Sequence, residues 1–116
     1  MNNRDYLILE RIVRYCDEVN GTLDLFGRSE EAFKHSYVFR NAVSMPIMQI
    51  GELATHLTEE FITSSPVIPW KAIKGMRTFF AHQYGDMNFQ LVWQTAVKKI
   101  PELKTACMEL LKAGEQ

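Results

Sequence analysis

Three polar side chains stand close together in an otherwise aromatic and aliphatic stretch, W-K-A-I-K-G-M-R-T-F-F-A-H-Q-Y, from Trp70 to Tyr84. They are Arg77, His82 and Tyr84. A segment built only to pack would not need that combination. Histidine titrates near neutrality, so it can take a proton from a ribose 2′-hydroxyl or return one to a leaving oxygen. Arginine can grip a phosphate through two parallel hydrogen bonds and stabilise the charge that grows on it. Together these types suit phosphodiester chemistry. Other common chemistries lack their signatures: there is no P-loop, no G-x-S-x-G elbow, no H-E-x-x-H and no Cys/His metal set.

The spacing restricts how such a site could form. On an ideal helix Arg77 and His82 lie about 140° apart and about 7.5 Å along the axis, whereas Tyr84 returns to the arginine's side after almost two turns. One helix therefore makes an incomplete site. Arg77 and His82 can converge where the helix ends, or where a two-fold symmetric copy supplies the second half. By itself R-x4-H is a common spacing, and a surface arginine with a histidine at a helix C-terminus explains it equally. His35 and His56 read as incidental, His56 as a hydrogen-bonded or rim histidine in an apolar-patterned helix.

The chain has 116 residues and 47% hydrophobic content, which suits one compact domain over residues 1–116 with a real core. No run reaches the roughly 18–20 apolar residues of a membrane helix, and the N-terminal residues carry no signal-peptide pattern. Cys16 and Cys107 lack metal-ligand spacing and read as buried thiols of a cytoplasmic protein. With 13 basic and 14 acidic residues, broad electrostatic capture of nucleic acid is not expected. A local basic site is still open, because Lys71, Lys74 and Arg77 recur at helical spacing; a solvated charged rim is the alternative.

The elements that must position these residues are helices. Ile8, Ile12, Tyr15, Cys16 and Val19 keep a 3.6-residue period over Asp5–Val19, with Asn3 or Asp5 as cap and Asn20-Gly21 as stop. Residues 22–29 read as a connector, and Glu30-Glu31 opens the next helical region in the orientation the helix dipole prefers. A long pattern runs from about Ser36 to Phe61, which Pro46 should kink or split. Gly51 in its middle costs helix stability and is worth having where another helix crosses closely. Residues 63–69, with Pro66 and Pro69, form the clearest break, after which the segment bearing Arg77 runs to a stop at Gly85. Asp86 or Asn88 can cap a final region from Phe89, which Pro101 should interrupt. No strand is expected, and the fold reads as an all-α bundle.

The stretch P-W-K-A-I-K-G-M-R-T-F-F-A-H-Q-Y-G-D-M-N resembles the HepT-like toxins of the HEPN superfamily, whose signature is R-x4-H-x-Y. The likeness extends to Met48–Ala54 (M-Q-I-G-E-L-A), to Arg40 with Asn41-Ala42-Val43, and to Phe89–Lys104 with its Trp and P-x-L turn. One residue departs from the pattern: Thr78 stands where Asn or Asp commonly follows the motif arginine, and it is β-branched and shorter in reach. The resemblance implies a HEPN-type bundle of four to five helices that dimerises through the motif helix. It implies a metal-independent endoribonuclease without cofactor, the toxin of a toxin–antitoxin pair. An MNT-type nucleotidyltransferase would be its antitoxin and would silence it by transferring AMP to a tyrosine. Carried over, Arg77 and His82 are the catalytic pair, Tyr84 is the modification target, and Thr78 and Glu52 are candidate supporting residues. A helix-surface carboxylate is the alternative for Glu52. For the whole chain, the alternative is a non-catalytic binding subunit of a nucleotidyltransferase.

Overall fold

A computed structural model of the chain describes residues 1–82 and 89–114, the side chains of residues 79–82 excepted. It is all-α. Two long helices, α1 (Asn3–Leu25) and α3 (Tyr37–Ala54), flank the short α2 (Glu30–His35). The short α4 (Glu59–Ser64) leads into α5 (Trp70–His82). A last helical rod comprises α6 (Phe89–Gln94), a π-turn over Thr95–Lys99 and α7 (Ile100–Gly114). The expected bundle thus has four long rods, with α2 and α4 as single-turn-and-a-half braces between them.

Hydroxyl and amide residues stand at the starts of the first four helices, each bonded to a backbone N–H that has no partner inside the helix. Asn2, not Asn3 or Asp5, caps α1 by accepting from the Asp5 N–H at 2.7 Å. Ser29, Ser36 and Thr58 cap α2, α3 and α4 in the same way. Asp5 is instead buried. Its carboxylate accepts from the Thr58 N–H at 3.0 Å and from the Thr58 hydroxyl at 2.7 Å, tying the first turn of α1 to the start of α4 across 53 residues.

Three expected breaks are absent, for related reasons. Asn20-Gly21 does not stop α1, which continues to Leu25 because Leu23 is needed in the core. The stop comes at Gly27 and Arg28, both at positive φ (68° and 54°), with the Arg28 N–H returning to the Leu23 carbonyl at 2.7 Å. Pro46 does not split α3: Val43, Ile47 and Ile50 around it are all fully buried and hold both halves against one core. The long pattern ends earlier than Phe61, in a turn after Ala54, and resumes as α4. Pro101 does not interrupt the last rod either. A proline ring clashes with the carbonyl four residues before it, here that of Val97. Val97 lies in the π-turn, where the Ile100 N–H reaches back five residues to Thr95. The wider turn makes room for the ring.

The expected break at 63–69 does occur, and it fixes where α5 begins. Trp70 is buried, its indole N–H donates to Ser65 Oγ at 3.1 Å, and the Ser65 hydroxyl donates to the Phe61 carbonyl at 2.8 Å. At the other end of the bundle Phe33, Phe39 and Trp93 interlock with ring centroids 5.2–6.1 Å apart, a spacing that favours aromatic pairs. Arg40 closes that end by donating to the Phe33 and Lys34 carbonyls and standing 4.6 Å over the Phe89 ring.

Candidate active site

The position of Arg77 is set by a close crossing of α3 and α5. Gly51 faces α5 so tightly that a Cβ there would lie 2.6 Å from the Arg77 backbone nitrogen and 3.0 Å from the Ile73 carbonyl oxygen. Only a residue without a side chain lets the two backbones approach this far. The expectation that Gly51 marks a crossing is met. Ile73, one turn before Arg77, is buried in the core and pins α5 from its inner side.

The next residue along α3 holds the arginine's head. Glu52 Oε2 accepts a hydrogen bond from Arg77 Nη1 at 2.9 Å, and Glu52 Oε1 lies 3.4 Å from His56 Nε2. The three side chains are about half exposed, at 51% for Arg77, 44% for Glu52 and 53% for His56. The hydrogen bond from Arg77 holds the Glu52 carboxyl below the usual carboxylate range, and His56 acts in the same direction. Gly51 and Glu52 thus divide one task. The glycine fixes where the arginine's backbone runs, and the glutamate fixes where its guanidinium points.

Thr78 is exposed beside Arg77, and Lys71 and Lys74 continue the arginine's row toward the start of α5. That row of 13 residues contains three cations and no carboxylate, so Glu52 is the anion that α3 supplies to it. Of the other predicted site residues, His82 is the last residue of α5, so the backbone places it at a helix end. Tyr84 lies outside the described residues, as do the expected stop at Gly85 and the caps at Asp86 and Asn88.

His56 is the group that sequence reading passed over as incidental. Its signal was present: it follows Glu52 by four residues, the spacing that brings side chains together on a helix face. Its partnership with an arginine 21 positions later was not visible, because that depends on where α5 crosses. His35 does sit apart, on α2, paired with Glu31 at 2.8 Å. Among the described residues no three His, Cys, Asp or Glu side chains gather into a metal-sized cluster, and no helix is long and apolar enough to cross a membrane. Cys16 and Cys107 are buried free thiols whose pKa burial raises to about 12.

Residues 8–110 match the family described as Ribonuclease HepT-like. The chain belongs to that family. It is 34% identical to a protein of Caldanaerobacter subterraneus subsp. tengcongensis named "Putative RNase", over 90% of this chain and 91% of the relative. A "Putative RNase" of Methanocaldococcus jannaschii is 30% identical over 92% of this chain and 84% of its own. A "Probable ribonuclease HepT" of Thermococcus cleftensis is 31% identical over 61% of this chain and 64% of its own. No solved structure matches the chain. In this HepT-like chain Arg77 thus stands at the crossing of α3 and α5, its guanidinium held by a carboxylate from the neighbouring helix.

Proposed function

We propose that this HepT-like protein is a metal-independent endoribonuclease and the toxin of a HEPN/MNT toxin–antitoxin pair, acting in the cytoplasm. The observation that carries this reading is Arg77 itself: a half-exposed guanidinium, aimed by Glu52 at 2.9 Å, in a chain of the ribonuclease HepT-like family. Arg77 binds the scissile phosphate and stabilises its equatorial oxygens as charge develops. His82 takes the proton of the ribose 2′-hydroxyl, whose oxygen attacks phosphorus while the bond to the 5′-oxygen breaks. The leaving oxygen then takes a proton back from the His82 imidazolium, leaving a 2′,3′-cyclic phosphate and a free 5′-hydroxyl. Glu52 orients Arg77, and Thr78 offers a hydroxyl beside it.

The two-fold arrangement that the family resemblance implies would have a physical basis in α3. Val38 and Met45 are exposed, and together with Glu52 they recur every seven residues, almost two turns, as one stripe leading to Arg77. An apolar stripe of this kind is suited to a second copy of the chain, which would bring two sets of Arg77 and His82 together. An AMP group transferred to Tyr84 by an MNT-type nucleotidyltransferase would block RNA by bulk and negative charge.

Purified protein is expected to cleave single-stranded RNA in the presence of EDTA and to lose that activity in His82→Ala and Arg77→Ala. Intact RNA after incubation with wild type would leave the non-catalytic binding-subunit reading in its place. Co-expression with an MNT-type nucleotidyltransferase is expected to add mass in units of AMP, absent in Tyr84→Phe.

A further inference from the structure

We infer that His56 is a positioning residue of the site, which draws Glu52 aside so that Arg77 can exchange its carboxylate for an RNA phosphate. The inference rests on the ribonuclease reading of Arg77. Its basis is the forked geometry at Glu52, whose two oxygens face different side chains: Oε2 the Arg77 guanidinium at 2.9 Å, Oε1 the His56 imidazole at 3.4 Å.

An arginine that is to bind phosphate cannot keep all its donors on a carboxylate. Glu52 lies on the surface, so its bond to Arg77 is weak enough to be exchanged. A freed carboxylate next to an incoming phosphate would repel it, unless another cation takes it up. Among the described residues the charged groups around Glu52 are Arg77 from α5 and His56 from the turn after α3. Glu52 precedes His56 by four residues, the order in which an acid and a cation pair best on a helical surface. His56 Nε2 therefore receives the carboxylate as Arg77 turns to the phosphate. Without the imidazole Glu52 returns to Arg77 and competes with substrate.

The signature is a coupling that no purely structural role would produce. His56→Ala is expected to raise KM for RNA about five- to tenfold with little change in kcat. The same substitution in a Glu52→Gln background should have no effect on KM, because there is no carboxylate left to draw aside. Equal effects of His56→Ala in both backgrounds would overturn the inference. A second readout needs no catalysis: addition of inorganic phosphate should move the His56 ring signals in the NMR spectrum of wild type and leave them in place in Glu52→Gln. Signals that stay put in wild type, or move equally in both, would refute the exchange. If RNA is not cleaved yet the signals respond as expected, the ribonuclease reading fails while the exchange at Arg77 stands.

Discussion

Gly51→Ala offers the sharpest test of how the site is built. The added Cβ would stand 2.6 Å from the Arg77 nitrogen, where ordinary contact begins near 3.4 Å, so α5 must withdraw by about 0.8 Å at that point. The obstacles at Arg77 and Ile73 are backbone atoms, which no rotamer change can move aside. Overpacking of this kind costs about 3 kcal/mol at the upper end of its usual range. Alanine recovers about 1 kcal/mol of helix propensity within α3. The net loss is about 2 kcal/mol, or a fall in Tm of about 8 °C at this chain length. The same withdrawal carries Arg77 away from its place beside Glu52, and a displacement approaching 1 Å reduces turnover by as much as about 100-fold. Chemical denaturation and RNA cleavage by the same preparation would measure both. Gly75→Ala is the internal control: it lies within α5 with nothing within 4 Å of the added methyl, and should stabilise by up to about 1 kcal/mol. If Gly51→Ala were as stable as wild type and fully active, the close crossing would not be what positions Arg77.

Other outcomes follow from the same structure. Asp5→Ala removes both acceptors from Thr58 and leaves a backbone N–H without its partner, so it should cost about 2–3 kcal/mol in urea unfolding. Cys16 and Cys107, with pKa values pushed up to about 12 by burial, should resist a thiol reagent at pH 8 in the native protein and react stoichiometrically once it is unfolded. The hydrogen bond from Lys104 to Asp17, at 2.6 Å, raises the lysine's pKa above its ordinary 10.5. A raised lysine pKa stabilises the fold fully below the unfolded value and loses that contribution as pH rises through the folded value. The stability difference between wild type and Lys104→Met should therefore narrow above about pH 10.5 and be flat with pH from about 7 to 9.

Much of this molecule is legible from local pattern alone. Apolar residues at a 3.6-residue period, hydroxyl caps at Ser29, Ser36 and Thr58, and the proline-bounded break before Trp70 are properties of short segments. They hold whichever way those segments later pack. R-x4-H-x-Y is likewise a property of one short segment. Prolines 46 and 101 were misleading for the opposite reason. Their local cost is real, but it was outweighed by fully buried neighbours in α3 and absorbed by a π-turn before α7.

Gly51 marks the boundary between the two kinds of information. Sequence could say that a glycine inside a helix allows a close neighbour, but not which helix or at what register. Tertiary structure decided that the neighbour is α5 and that contact falls at Arg77, whose guanidinium then shares Glu52 with His56. It also decided that Asp5 and Thr58 would meet across 53 residues. Periodicity and capping act through atoms a few residues apart, so they can be read from the chain in order. A site assembled across a helix crossing depends on the depth and register of packing, which only the whole core determines.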